Sequence, residues 1–299
     1  MASVHPAGSA GPPSGADAAT AEAWSLFWAA QGPRSRCLAR SPELYAPLDA
    51  HWHGFATCLP ECARVLDLGC GTGAVGRALL HATRNLRITG VDLASIPPSS
   101  DTRLGLLSNV SMESLPFAPN AFDAAVSQFG YEYGDPVRSA GEIARVLAPG
   151  ARLSFLVHHP EGPLVSAMRR HRRAIEGLCG VRIQAAFFAG DAMALSVRIA
   201  KLKRECANDS IIDDAERGLH SQIGNPESSR LQVWRAVIDA LAPELVMLDS
   251  LELCCADDRS IDSLVHPLER RFDLEPSRLL RTTRGETIAW VIEGSRRGR

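Results

Sequence analysis

The spacing of hydrophobic residues changes several times along the chain, and each change predicts a different kind of structure. Residues 1–20 contain mainly Ala, Gly, Pro and Ser and almost no large apolar residue, which predicts a disordered tail. Between 21 and 60 apolar residues return at helical spacing, with Leu44, Leu48 and Trp52 four residues apart. This segment is therefore predicted to hold short N-terminal helices.

Residues 61–160 alternate between short apolar runs and longer segments with helical spacing. Such alternation is typical of α/β proteins, in which parallel strands are joined by right-handed helical crossovers. One predicted helix, 136–147, begins at a proline and is followed by Pro149-Gly150, which closes it. The predicted strands are 64–68, 86–91, 122–127 and 151–157.

Beyond residue 160 the strand signal almost disappears. Helical spacing dominates 161–257, which is predicted to be a helical insertion in the sheet domain. Strand signals return in 258–299, where a helix at 261–272 precedes strands at 274–280 and 287–292. These last two strands are predicted to complete the sheet.

Composition and charge exclude several classes of protein. The chain has 299 residues, of which 45% are hydrophobic and 22% charged, and its net charge is −2 at pH 7. This balance argues against nucleic-acid binding, which favours a basic excess. No apolar run reaches the roughly 18 residues of a membrane span, so no membrane association is expected. Eight cysteines without a Cys-x-x-Cys pair, and an N-terminus unlike a signal peptide, predict a cytoplasmic protein with reduced thiols.

The most specific feature is the segment Asp67-Leu-Gly-Cys-Gly-Thr-Gly73, between a predicted strand and a predicted helix. Its glycines let the backbone approach a ligand closely, and the helix N-terminus offers unpaired N–H groups. Asp92 ends the next strand, where a carboxylate can accept hydrogen bonds from both hydroxyls of a ribose. Asp67 suits a ligand with a cationic amino-acid end. The glycines also satisfy the NAD fingerprint formally, so an NAD(P)-dependent oxidoreductase is an alternative.

This stretch resembles motif I of the class I S-adenosylmethionine-dependent methyltransferases. Segments 91–93, 111–117 and 145–151 resemble further motifs of that family, in the same order. The resemblance is closest to the small-molecule branch typified by ubiquinone and menaquinone methyltransferases. It implies a Rossmann-like, doubly wound, mostly parallel seven-stranded sheet with a C-terminal antiparallel strand, and S-adenosyl-L-methionine as cofactor.

The resemblance also implies which residues bind the cofactor. Asp92 would bind the ribose, and Met112 would pack on the adenine. Ser111 departs from the family, which commonly has an Asp at this position. The full set predicted to bind the cofactor is Asp67, Gly69, Cys70, Gly71, Gly73, Asp92, Leu93, Ser111, Met112, Glu113 and Gln128.

Catalytic candidates lie after the predicted strands 122–127 and 151–157, because ligands in such sheets bind at the carboxyl ends of strands. They are Tyr131, Glu132 and His158; an imidazole titrates near neutral pH and can serve as a base. The Asn-Pro-Pro-Tyr motif of amide and exocyclic-amine methyltransferases is absent. The pair of histidines at 51 and 53 lacks matched Cys or acidic partners, so no metal is expected.

The sequence thus predicts methyl transfer from S-adenosyl-L-methionine to a small-molecule acceptor, an apolar or aromatic metabolite, by in-line displacement. The helices of 21–60 and 161–257 are predicted to form a lid that excludes water from the methyl group. A protein or RNA methyltransferase and a non-catalytic binding protein are further alternatives. The acceptor atom and the oligomeric state stay open.

Overall fold

Eight strands form one mixed sheet in the part of the chain that the computed structural model describes, which comprises residues 15–31, 42–83, 85–207 and 209–298. The strand order is β3-β2-β1-β4-β5-β8-β6, and β7 also pairs with β8. Strands β1 to β5 are parallel, whereas β8 is antiparallel to β5, β6 and β7. The strands are β1 (Arg64–Leu68), β2 (Arg87–Val91), β3 (Leu104–Leu107), β4 (Phe122–Gln128), β5 (Leu147–His158), β6 (Phe272–Leu274), β7 (Arg278–Arg281) and β8 (Thr287–Arg296).

The helices are distributed over two compact units, Met1–Leu164 with Glu252–Arg299, and Val165–Leu251. The first unit contains the whole sheet. The helices are α1 (Gly15–Gln31), α2 (Pro42–Thr57), α3 (Ala74–Ala82), α4 (Pro136–Val146), α5 (Pro163–Leu178), α6 (Val181–Phe188), α7 (Ala192–Glu205), α8 (Ser210–Gln222), α9 (Glu227–Cys254) and α10 (Ile261–Glu269).

The sheet is doubly wound: from β1 the chain adds β2 and β3 on one side, and it then crosses to the other side of β1 to add β4 and β5. β1 lies between β2 and β4, and four of its five residues are buried, which explains its continuous apolar run. Reversal of the strand order opens a crevice at the carboxyl ends of β1 and β4. The glycine segment after β1 and the catalytic candidates after β4 and β5 therefore meet at one edge of the sheet.

The second unit has a hydrophobic core of its own. Phe187, Leu195, Ile199 and Ile212 are fully buried in it, and Trp234 packs on Phe187. His171 on α5 pairs with Asp209, the N-cap of α8, at 2.9 Å and with Glu244 on α9 at 2.8 Å. A single imidazole therefore connects three helices of this unit.

Several boundaries differ from the predicted ones. Residues 1–14 of the predicted tail lie outside the described residues, and α1 begins at Gly15, inside the predicted tail. The predicted strand 274–280 is two strands, β6 and β7, because Pro276 lacks the N–H that a ladder requires. β3 was not among the six strands located in the sequence. With β3 and the division of 274–280, the sheet has eight strands, one more than the seven that the resemblance implies. No helix among the described residues has the length and apolar character to cross a membrane.

Candidate functional site

The glycine segment forms a tight turn that only glycine can make. Gly69, Gly71 and Gly73 have φ values of 63°, 49° and 83°, in the left-handed region that side chains disfavour. A Cβ on Gly69 would lie 2.8 Å from the Cα of Gly130, so the turns after β1 and β4 are in backbone contact. Gly73 is also the residue before α3, whose first N–H groups face this turn.

Asp67 is a buried carboxylate without a conventional partner. Its residue is 0% exposed, and neither carboxylate oxygen accepts a hydrogen bond of ordinary geometry from the described residues. Burial raises the pKa of Asp67 to about 8, and the nearby Gly76 amide only partly opposes this effect. The charge of Arg77 also lowers the pKa of Asp67, but the Arg77 guanidinium donates a hydrogen bond to the Thr72 carbonyl oxygen at 2.6 Å. Such a carboxylate calls for a cationic ligand.

Asp92 connects the end of β2 to the glycine turn. Its Oδ2 accepts a hydrogen bond from the Gly71 amide at 2.7 Å, and its Oδ1 accepts one from the Ala94 amide at 2.9 Å. Burial raises the pKa of Asp92, and the two amides oppose that rise. The carboxylate is therefore oriented by the backbone, and each oxygen retains a further lone pair for a ligand hydroxyl.

Helix α1 packs on this turn through its aromatic residues, a contact for which the sequence offered no local signal. Trp28 is buried against Cys70, Ala94 and Ile96. A Cβ on Gly71 would lie 2.5 Å from the Trp28 indole. The Ser25 hydroxyl on the same helix accepts a hydrogen bond from the amide of Ser95, which follows β2.

The predicted adenine-side residues divide into two groups. Ser111 accepts a hydrogen bond from the Glu113 amide, and the sulfur of Met112 lies 3.0 Å from where a Cβ of Gly134 would be. The Glu113 carboxylate instead accepts a hydrogen bond from the Asp135 amide at 2.8 Å and pairs with Arg138 at 2.7 Å. Glu113 thus holds the start of α4.

The remaining cofactor candidates surround the turn in different ways. Cys70 is buried beside Gly90 of β2, and Leu93 is half-buried next to Asp92. Gln128, the last residue of β4, accepts a hydrogen bond from the Trp52 indole of α2 at 2.7 Å. The predicted N-terminal helices therefore contact the sheet at two points of its carboxyl edge.

Glu132 and His158 form a buried pair at the ends of β4 and β5. The Oε1 atom of Glu132 accepts hydrogen bonds from the His158 backbone amide at 2.9 Å and from Nδ1 at 2.8 Å. Phe129 stacks on the imidazole, with ring centroids 4.2 Å apart. Tyr131, the third catalytic candidate, does not join them. Its fully buried hydroxyl donates to the Leu264 carbonyl at 3.2 Å, and its ring stacks in the core.

A thiol completes this group, and the sequence gave no reason to expect it. Cys254 ends α9, and its Sγ lies within 4.8 Å of ligand atoms of Glu132 and His158. The three residues are separated by up to 122 positions in sequence, so their spacing could not predict that they lie close together. Among the described residues, these three form a group whose side chains could together ligate a metal ion.

Part of the chain is similar to known methyltransferases. Residues 66–155 match the model of a family described as a methyltransferase domain. An uncharacterized methyltransferase of Mycobacterium tuberculosis is 38% identical over 104 residues, covering 33% of this chain and 41% of that protein.

Two relatives have more specific names. A ubiquinone/menaquinone biosynthesis C-methyltransferase of Syntrophotalea carbinolica is 34% identical over 136 residues, covering 41% of this chain and 57% of that protein. A malonyl-acyl-carrier-protein O-methyltransferase of Alcanivorax borkumensis is 32% identical over 157 residues, covering 46% of this chain and 52% of that protein. The chain thus spans about half the length of the curated relatives that it matches.

Proposed function

We propose that this chain, which carries a class I S-adenosylmethionine-dependent methyltransferase domain, transfers a methyl group from S-adenosyl-L-methionine to a small-molecule acceptor. One observation carries the proposal: a fully buried, unpartnered carboxylate, Asp67, lies at the start of a glycine turn. A buried negative charge is costly without a cation, and the donor's amino group would supply one.

The residues around the turn fit the rest of the donor. Asp92 is oriented by the amides of Gly71 and Ala94, and its free lone pairs would accept hydrogen bonds from the two ribose hydroxyls. The positive φ values of the glycines allow the tight turn in which Asp67 and Asp92 lie close together, and the Trp28 indole covers this turn at Gly71. When bound, the donor supplies a methyl group already activated by the sulfonium charge, so positioning dominates the catalysis.

The acceptor is proposed to be a small apolar or aromatic metabolite. Aromatic side chains support this, since Trp24 stacks with Trp28 at 6.0 Å and contacts Tyr133 edge-on at 5.8 Å. Tyr133 in turn contacts the His158 ring edge-on at 6.3 Å. Ring contacts thus connect helix α1, which packs on the glycine turn, to the Glu132–His158 pair, and such a group of aromatic side chains favours a flat apolar molecule.

Calorimetric titration with S-adenosyl-L-methionine, its demethylated product and NAD tests this function. The wild-type protein should bind the first two and not NAD. Asp67→Asn should weaken binding of the donor by about ten- to a hundredfold, because a charge-assisted hydrogen bond contributes roughly 1.5–3 kcal/mol.

Asp101→Asn is the matched control, since Asp101 pairs with Arg103 in an exposed loop. It should bind the donor like the wild type. Binding of NAD in place of the donor would favour the oxidoreductase alternative and overturn the proposal. Equal donor affinity in wild type and Asp67→Asn would remove the role of Asp67.

A further inference from the structure

The Glu132–His158 pair has an arrangement that fixes the protonation of one ring nitrogen. The Oε1 atom of Glu132 accepts the Nδ1 hydrogen of His158 at 2.8 Å and the backbone amide of the same residue at 2.9 Å. A carboxylate at Nδ1 favours the tautomer with its hydrogen there. The other nitrogen, Nε2, then carries a lone pair.

That lone pair has no partner in the described residues. The Nε2 atom of His158 and the Oε2 atom of Glu132 are both buried without a hydrogen bond. The side chains are 2% and 0% exposed. Buried polar atoms in folded proteins are almost always hydrogen-bonded, so two neighbouring exceptions point to a ligand that is polar at this place.

The surroundings connect this lone pair to the proposed methyl donor. His158 ends β5, and the stacked ring of Phe129 follows β4. Phe129 itself has a φ of 61°, a strained conformation for a residue with a side chain, which is held because its amide donates to the Leu156 carbonyl at 2.8 Å. The backbone of this turn is therefore fixed against the imidazole, at the edge of the sheet that also carries the glycine turn.

We infer that His158 is the general base of the reaction, that Glu132 positions it, and that the acceptor is a molecule whose reacting atom carries an ionisable proton: a hydroxyl, a thiol or a carbon acid. This inference rests on the proposed function and names the acceptor class for the same site. A tertiary amine has no proton to lose, so its methylation would need no base. The buried lone pair on Nε2 of His158 would then have no role in the reaction.

The acceptor gives its proton to Nε2 of His158, and the electron pair left on the acceptor atom bonds to the methyl carbon. The bond between that carbon and sulfur breaks, and its electron pair stays on sulfur, which becomes a neutral thioether. The imidazolium that forms is paired with the Glu132 carboxylate through Nδ1.

Cys254 offers a different use of the same residues, since the three could ligate a metal ion. The contact between Oε1 and Nδ1 is a hydrogen bond of ordinary length, which is the arrangement that a base positioned by a carboxylate requires. Metal binding is an outcome that the experiment must separate.

The first measurement needs no acceptor. Long-range ¹⁵N–¹H correlation spectra of histidine-labelled protein with the demethylated donor bound should show His158 with Nδ1 protonated and Nε2 bare. Glu132→Leu should lose this tautomer preference, and Glu132→Gln should keep it, because an amide oxygen can still accept the Nδ1 hydrogen. A protonated Nε2 in the wild type would overturn the inference.

The second measurement uses 1-naphthol, thiophenol and N,N-dimethylaniline as probes, with release of the demethylated donor as the signal. Methylation of a proton-bearing probe should fall by about 10²- to 10⁴-fold in His158→Gln. His159→Gln is the matched control, because His159 contacts Trp290 and the Glu161 amide instead. It should keep the wild-type rate.

Several results would overturn the inference while leaving the proposed function intact. One is faster methylation of N,N-dimethylaniline than of the other two probes. Another is an unchanged methylation rate in His158→Gln. The third is methylation that a chelator abolishes and Zn²⁺ restores. Failure of the donor to bind at all would instead overturn the proposed function. Calorimetry of His158→Gln with the donor, where unchanged affinity is expected, separates the two cases.

Discussion

The indole of Trp28 lies against Gly71, in the space that a side chain at position 71 would need. A Cβ there would be 2.5 Å from the indole ring, so the close packing of α1 on the glycine turn depends on the absence of that atom. The same glycine donates its amide to Asp92. The proposed cofactor-binding turn and the helix that covers it are therefore both constrained by one residue.

Gly71→Ala should destabilise the protein by roughly 1–3 kcal/mol, the usual cost of a non-glycine residue in the left-handed region. The added methyl group would also displace Trp28. Urea unfolding measures the change, and Gly54→Ala is the control because a Cβ there meets open space on α2. In that helix alanine should change stability by less than about 1 kcal/mol, in the stabilising direction. Equal losses in both variants would contradict the prediction.

Trp28→Ala should release α1 from the glycine turn without unfolding the sheet. The side chain is buried against Cys70, Ala94 and Ile96, so its removal leaves a cavity where the helix now packs. Hydrogen exchange of peptides within 18–31 should become at least tenfold faster, while peptides from β4 and β5 should be unchanged. Leu26→Ala, at a position 51% exposed on the same helix, should leave all of these rates as they are.

Asp67 should make the protein without its donor less stable as the pH rises. Burial raises the pKa of its carboxyl group to about 8, whereas an Asp in the unfolded chain titrates near 4. The folded state therefore retains a proton that the unfolded state has released, and stability falls from about pH 4 to pH 8.

Urea unfolding at pH 5 and pH 8 measures this decline, and Asp67→Asn should reduce it. Saturating donor should also reduce it, because a bound ammonium group favours the ionised carboxylate. Asp101→Asn is the control, since hydrogen bonds from Arg103 lower the pKa of Asp101 and place its titration at acid pH. The same decline in wild type and Asp67→Asn would contradict the prediction.

His171 should stabilise the second unit at neutral pH and lose this effect in alkaline solution. Burial alone would lower the pKa of His171, but its hydrogen bonds to Glu244 and Asp209 raise the pKa to about 9. The contribution is fully present below about pH 6.5 and is lost as the pH rises through 9, with an upper limit of about 3 kcal/mol.

Hydrogen exchange of α5, α8 and α9 between pH 6.5 and 9.5, corrected for the intrinsic rates, follows this loss. His171→Gln should remove the pH dependence. His220→Gln is the control, because among the described residues it removes a contact with the Ser196 hydroxyl. This variant should retain the pH dependence. A pH dependence that persists in His171→Gln would assign it to another group.

Local signals predicted the glycine turn and Asp92, because both depend on a few adjacent residues and on the chain direction of a parallel sheet. Contacts that join distant segments could not be predicted in this way. Tyr131 seemed to face the site, yet its hydroxyl reaches the Leu264 carbonyl far along the sequence. Glu113 stays a predicted cofactor residue, but the sequence could not predict that its carboxylate accepts a hydrogen bond from the Asp135 backbone amide and pairs with Arg138. Cys254 carried no signal, because a cysteine at the end of a helix belongs to no sequence motif that would place it near Glu132 and His158.

The prediction that residues 161–257 form a lid over the acceptor stays a prediction. Its test is to replace Val165–Leu251 by a short Gly-Ser linker and to compare donor binding and methylation with the full chain. Full methylation activity of the shortened protein would contradict the lid. Loss of methylation with unchanged donor affinity would support it.

The return of the chain from the insertion has a consequence for engineering. The Ala256 amide donates to the His158 carbonyl at 3.0 Å, and the Ala256 carbonyl accepts the Trp290 indole hydrogen at 2.9 Å. The chain thus leaves the sheet just after β5 and comes back to the same strand end. Domains joined by such neighbouring junctions tolerate insertion and excision. If the predicted lid is correct, replacing Val165–Leu251 by the equivalent segment of a related protein should change which acceptor is methylated.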